Sequence, residues 1–408
     1  MSKTTTIKTL KPMSGMKMLG VYLIVIALGA VAGLFGGSVV HQITDFIATV
    51  FIRLFKFISI PIIAVSIIAT LSRVSQSSQS GRIFRQTVLY TVGTTLAAAA
   101  LAALLYVVYA PENVAMSTNA LALPTAGHSY LEYARTIVPD NLLAPFLSGN
   151  VLSVLLIAVA VGLAIDKMPR ESETHRVMLA FFTGSQEILF TLVRWVIAVL
   201  PLGVLAFVAN MVFEMQQGVA VGGIGTYFAA VISANLIQMF IVLPLLLFIK
   251  GFNPLKVMGN MAPALMLAFF SKSSAGTLPV TMQCAQEQQK VRGSVARFVL
   301  PICTTINMNG CAAFILLTVV YLMQNAGIEI TPMMLIGWIF IATIAAVGNA
   351  GVPMGCFFLS VSLLTSMGVP IELMGVILPV YAVVDMVETS LNVWSDSVVC
   401  TIVDKDLN

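Results

Sequence analysis

The stretch DMVETSLNVWSDS, residues 385 to 397, sets Asp385, Glu388, Thr389, Asn392 and Asp396 inside the last apolar segment of the chain. At 100° per residue on an α-helix, Asp385, Thr389, Asn392 and Asp396 fall within an arc of roughly 60°, with Glu388 roughly 60° to one side. Carboxylates gathered on one helix face can hold a metal ion, an ammonium group or a lysine from a neighbouring segment. On insertion scales each charge costs about 2.5–3.5 kcal/mol at mid-bilayer, so a stripe of three requires cations. A buried ion-pair network that only orders helices is the plain alternative. Bases are scarce, however: Lys272 is the one obvious candidate, and one lysine does not neutralise three acids. A second polar cluster, CTTINMNG (303–310), places Thr304, Thr305, Asn307 and Asn309 inside the apolar run 298–322. Amide and carbonyl oxygens suit a small hard cation. Na⁺ fits, and these residues alone do not separate it from a proton-driven design.

The elements that must carry these groups are read from composition. The chain has 408 residues, of which 59% are hydrophobic and 9% charged, against about 25% charged in a soluble domain. Mean hydropathy is +0.98. Apolar stretches at 18–40, 88–110, 231–249 and 334–352 each reach the about 20 residues that cross a bilayer. A polytopic α-helical membrane protein is expected, with the first segment a retained helix rather than a cleaved leader. The net charge of +4 marks sidedness rather than nucleic acid. Lys and Arg recur after alternate apolar blocks, which puts both termini in the cytoplasm. The five cysteines show no metal-ligand spacing and read as buried free thiols. No phosphate loop, dinucleotide fingerprint or nucleophile elbow is present, and no nucleophile–base pair is visible, so an enzyme is not expected.

Two apolar segments of the second half are broken by small and polar residues: LMLAFFSKSSAGTLPVTM (265–282) and FIATIAAVGNAGVPMGCFFLSV (340–361). Each carries Ala-Gly followed by Pro. Such breaks free backbone groups at membrane depth, tolerated only against protein, water or a ligand. Paired interruptions in corresponding places point to a transporter site, with kinked helices as the alternative. Lysine and arginine counting favours a first hairpin open to the cytoplasm and a second open to the outside.

SKSSAGTLPVT, TINMNG, AGVPMG and DMVETSLNVWSD, in that order, resemble the dicarboxylate/amino acid:cation symporter family over essentially the whole chain. The resemblance implies an all-α elevator-type secondary transporter, a homotrimer with eight transmembrane helices and two re-entrant hairpins. A scaffold would take residues 18–72 and 141–213. A transport domain would take 85–110 and 220–402, with hairpins at about 255–290 and 330–366 and the second as outer gate. Residues 1–17 and 403–408 would be cytoplasmic tails, and a bacterial inner membrane is compatible. Asp385, with Thr389, would hold the substrate's α-amino group. Asn392 and backbone N–H groups around Ser273, Ser274, Val352 and Gly355 would hold its carboxylate. Cys303, Asn307, Asn392 and Asp396 would form one Na⁺ site, and Thr305, Ala346, Val347 and Asn349 a second.

Three departures set the details. Acidic-substrate members carry an Arg where Glu388 stands, and a Glu would repel aspartate or glutamate in a dry site. The serine/threonine symporters of the family are similar here. Glu388 therefore points to a hydroxyl-bearing neutral amino acid, either paired with Lys272 or protonated by burial. A cationic amino acid, cystine or proton coupling through Glu388 are the rivals within transport. A channel or receptor is the rival outside it. Asn309, with Gly93 and Thr94, lacks the charge and one hydroxyl of a third Na⁺ site, so two coupled Na⁺ are expected. Met354 and Cys356 replace small residues in the gate, with no clear direction of effect.

Overall fold

A computed structural model describes residues 15–72, 81–114, 138–148, 151–169, 171–216, 222–347, 349 and 354–407. Every regular element among them is helical. They run α1 (Gly15–Phe35), α2 (Gly37–Leu71), α3 (Gly81–Tyr109), α4 (Ala144–Ser148), α5 (Val151–Asp166), α6 (Glu173–Gln216) and α7 (Gly222–Ile237). Then come α8 (Leu243–Ile249), α9 (Pro254–Ser271), α10 (Ser274–Gln283), α11 (Gly293–Ile306), α12 (Asn309–Asn325), α13 (Pro332–Val347), α14 (Gly355–Ser366) and α15 (Glu372–Asp406). Helices close their backbone hydrogen bonds within one segment, the condition for crossing lipid.

Among the described residues three helices are long and apolar enough to cross a membrane: Arg82–Tyr109, Gly223–Ile249 and Gly293–Asn325. A fourth is added if Glu372–Leu378 and Val383–Asp406, bent by 75°, form one span. Pro379, which has no N–H to donate, lies at that bend. The span 223–249 buries only 28% of its most apolar stretch, and Phe240, Leu245, Phe248 and Ile249 point outward. An apolar face of that extent is stable only against lipid or protein. These are the marks of a multi-pass membrane protein.

Helix α12 sits at the centre. Its residues 309–323 are all buried, as expected of a helix apolar on every side. α3, α7, α13, α14 and α15 pack around it. α1 and α2 lie along α6, with α5 also on α2. The two sets meet where α14 touches α2 and α15 touches α6.

The two interruptions are built differently. α9 and α10 pack on each other, and the Asn260 side chain donates to the Gln288 carbonyl and, at 2.8 Å, to Gln289 Oε1. The chain at 288–289 has thus returned beside residue 260, a hairpin. It turns at Lys272, in the left-handed region at φ 54°, and Ser273 caps α10 by accepting from the Gly276 N–H at 3.0 Å. In the second, α13 and α14 each pack on α12. Met354 precedes α14 at φ 61°. Residues 348 and 350–353, including Val352 and most of the expected gate, lie outside the described residues.

Candidate functional site

Lys272, Ser274, Met308, Cys311, Asn349, Asp385, Glu388, Thr389 and Asn392 line one cleft of about 220 Å³ empty volume. Six of these residues, Ser274, Asn349, Asp385, Glu388, Thr389 and Asn392, are among those that the sequence assigned to substrate or ion binding. Of the other substrate and ion residues, those that the structure describes lie outside its walls.

The cleft has a positive and a negative side. The N-terminus of α10 opens on it at Ser274, and α14 begins beside it at Gly355, just after Met354. A helix N-terminus presents N–H groups with no intrahelical partner and about half a positive charge. Opposite them lies α15. Asp385 Oδ2 accepts the Met354 N–H at 3.2 Å, and its Oδ1 lies 3.4 Å from the Tyr381 hydroxyl. Glu388 Oε2 lies 3.3 Å from the same hydroxyl. Two carboxylates therefore share one donor, and Glu388 Oε1 is buried with no hydrogen-bond partner. The carboxylate whose charge acts on Lys272 is that of Asp385. Lys272 and Glu388 face the same cleft.

Thr389 donates to the Asp385 carbonyl at 2.7 Å, which holds it on the cleft wall. Asn392 Oδ1 accepts the Gly310 N–H at 2.9 Å. This contact needs glycine: a Cβ on Gly310 would stand 2.9 Å from both Cα and Cβ of Glu388. Gly355 is equally constrained, since its Cβ would fall 1.5 Å from Asn349 Oδ1.

Behind the cleft the span 293–325 unwinds for two residues, Asn307 and Met308. There Asn307 Nδ2 donates to Asp396 Oδ1 at 3.0 Å and to Ser395 Oγ at 2.9 Å. Two expected Na⁺ ligands are thereby adjacent. The Cys303 carbonyl accepts the Asn307 N–H at 2.8 Å, and Asn392 points to Gly310 instead. Of the second expected set, the Thr305 hydroxyl donates to the Ile302 carbonyl at 2.8 Å. The Ala346 carbonyl accepts the Asn349 N–H at 3.0 Å, and Val347 ends α13. A helix C-terminus there offers carbonyls to a cation.

Two residues escaped the sequence reading. Tyr381 lies four and seven positions before Asp385 and Glu388, on their helix face, so helical spacing alone could have found it. Gln238, the buried first residue of the π-helical turn Gln238–Val242, donates to Asn309 Oδ1 at 2.7 Å and to the Thr94 carbonyl at 3.2 Å. Asn309 Nδ2 in turn donates to Asn307 Oδ1 at 2.9 Å and to Ser395 Oγ at 2.9 Å. Thr94 donates to the same Asn307 oxygen at 3.1 Å.

The expectation of five free thiols is corrected. Cys284, Cys303 and Cys400 are free and buried, but Cys311 and Cys356 are joined as a disulfide with Cα atoms 5.3 Å apart. They are 45 positions apart in sequence, and only the packing of α14 on α12 brings them together.

A family model described as the Sodium:dicarboxylate symporter family matches residues 18–406. Excitatory amino acid transporter 3 of Mus musculus is 34% identical over 257 residues, 63% of this chain and 49% of that protein. Neutral amino acid transporter A of Homo sapiens is 29% identical over 390 residues, 85% of this chain and 73% of that protein. Neutral amino acid transporter B(0) of Oryctolagus cuniculus is 28% identical over 415 residues, covering 91% and 76%. The chain spans about half the length of the first of these relatives. The match from 18 to 406 takes in every helix that builds the cleft, and the chain belongs to the sodium:dicarboxylate symporter family.

Proposed function

We propose that the protein is a Na⁺-coupled symporter of small neutral amino acids, with serine and threonine as its substrates. The observation that carries this reading is Glu388 Oε1, a buried acceptor without a partner in the cleft that also holds Asp385 and the N-terminus of α10. An unpaired buried acceptor costs about 1–3 kcal/mol, and a substrate hydroxyl would satisfy it. Asp385 would take the α-ammonium and the helix N-termini with Asn392 the α-carboxylate, each group meeting its opposite charge. A carboxylate side chain would be repelled by Glu388, and Lys272 in the same cleft disfavours a cationic one. Relatives named neutral and relatives named excitatory amino acid transporters both align with this chain, so the choice between them rests on the cleft.

Na⁺ travels as a co-substrate in this reading. Asp396, Asn307, Asn392 and the Cys303 carbonyl would hold one ion, and Thr305 with the end of α13 (Ala346, Val347, Asn349) the second. Two ions are favoured because, where a third site would stand, Thr94, Asn307, Asn309, Gln238 and Ser395 bond to one another through amides and hydroxyls. Because Asn392 lines the cleft next to the ion-binding segment, substrate and Na⁺ would each raise the other's affinity equally. The protein would work as a trimer in the cell membrane, with both termini cytoplasmic. Its transport domain, 85–110 and 220–402, would slide elevator-fashion against the scaffold, and the second interrupted segment would serve as the outer gate.

The test is uptake of labelled serine into proteoliposomes under an inward Na⁺ gradient. Threonine should compete and aspartate should not. Uptake of arginine or cystine but not serine would overturn the specificity, and uptake driven by a proton gradient without Na⁺ would overturn the coupling.

A further inference from the structure

Cys311 is the third residue of α12, and Cys356 is the second residue of α14. Both are buried, and their bond crosses from the central helix to the arm that follows the second interruption. Around them the contacts are those of the binding cleft. Asn349 Nδ2 lies 2.8 Å from Cys311 Sγ and 3.4 Å from Cys356 Sγ. Asn392 Nδ2 lies 3.6 Å from Cys311 Sγ. The two sulfurs and a Glu388 carboxylate oxygen fall within 4.8 Å of one another. Cys284, Cys303 and Cys400 remain thiols, so this is the one cystine among the described residues.

We propose that Cys311 and Cys356 form a reversible redox latch that pins the start of α14 to α12 and arrests transport. The rest of the junction is non-covalent: the Met354 N–H on Asp385 and the Asn349 amide against the sulfurs. Such contacts break and re-form as ligands come and go, whereas a disulfide does not. With the bond closed, α14 cannot part from α12 at the cleft. With two thiols it can.

A peroxide is the oxidant class that fits, being small enough to reach buried sulfur through the cleft that Cys311 lines. The Cys311 thiol gives up its proton as its sulfur attacks one peroxide oxygen, the O–O bond breaks, and the leaving hydroxide takes that proton, so that a sulfenic acid and one water result. The Cys356 thiol then attacks the Cys311 sulfur, the S–O bond breaks, and a second water leaves. Two thiols and one hydrogen peroxide thus give one disulfide and two waters, with two electrons passing from sulfur to oxygen. A dithiol reductant reverses the state by exchange, becoming a cyclic disulfide itself.

The experiment uses the full chain in proteoliposomes, first reduced with dithiothreitol and then exposed to hydrogen peroxide. Peptide mass spectrometry without reduction reads the bond, and hydrogen exchange of the amides of residues 355–359 reads the mobility of α14. Na⁺-driven serine uptake, which rests on the function proposed above, reads transport. Oxidation should link 311 to 356, slow exchange at 355–359 at least tenfold and lower uptake at least tenfold, all restored by dithiothreitol. Cys356→Ala should form no linked peptide and show no peroxide-induced slowing of exchange at 355–359, whatever its own rate. Failure of the linked peptide to form, or its formation with unchanged exchange, would overturn the latch. Serine uptake absent in both states, with the exchange response intact, would support the latch and overturn the substrate reading instead.

Discussion

The two interrupted segments share a motif and differ in what holds them. The first is a hairpin closed on itself: α9 packs on α10, Asn260 joins its two ends, and Ser273 caps its own returning arm. The second leans on others. Its arms pack on α12, the Met354 N–H rests on Asp385, and Cys356 is bonded to Cys311. A unit stabilised internally keeps its shape when its surroundings change, and one held by outside contacts opens when they do. The second segment's anchors are the groups that would meet substrate, so a ligand that occupies Asp385 also alters what holds that segment. The same Ala-Gly-Pro spelling thus makes a rigid wall in one place and a releasable one in the other.

The largest break should come at Asp385, where both segments converge through Met354 and Lys272. Removing one member of a buried charge pair costs about 2–5 kcal/mol, so Asp385→Asn should weaken serine binding by about 30-fold or more. Near-normal affinity in a titration would remove Asp385 from ammonium recognition. A pair of glycine variants sharpens the contrast. Gly355→Ala forces a Cβ to within 1.5 Å of Asn349 Oδ1, overpacking worth about 1–3 kcal/mol, and uptake should fall by about tenfold or more. Gly276→Ala meets only the rotatable Ser273 Oγ at 3.2 Å and should stay within about threefold. Equal losses in the two would show that the segments do not differ in tolerance. Tyr381→Phe deprives Asp385 and Glu388 of their shared hydroxyl, for an expected loss of about 1–3 kcal/mol in serine binding. An unchanged affinity would mean the hydroxyl is idle. The smallest effect belongs to the first hairpin: Ser273→Ala removes a helix cap and should lower unfolding stability by about 1 kcal/mol, with uptake the control that must persist.

Much of this was legible in the residues. The polar face of α15 followed from its 100° spacing, and the interruptions from Gly and Pro inside apolar runs. Even the unwinding at Asn307 and Met308 lay within the cluster marked as polar. The rest depends on packing between distant segments. Cys311 and Cys356 meet only because α14 lies on α12. Gln238 passes for one tolerated amide in an apolar run until the π-helical turn aims it at Asn309. Tyr381 carries its hydroxyl on an aromatic ring that reads as core. Whether an interrupted segment folds back on itself or onto a neighbour is decided by partners that local sequence does not name.

The network of Thr94, Asn307, Asn309, Gln238 and Ser395 has an electrical consequence. Its own side chains are amides and hydroxyls without net charge, and its one link to a charged group is from Asn307 to Asp396. A membrane potential works at about 2.3 kcal/mol per elementary charge for each 100 mV, and shifting an uncharged cluster moves no net charge through it. Voltage can then act on this interior only through Asp385, Glu388, Asp396, Lys272 and whatever ions travel with them. Substituting an aspartate for Asn309 would place a new gating charge beside Asp396, and the carrier would begin to feel the potential at a point where it now feels none.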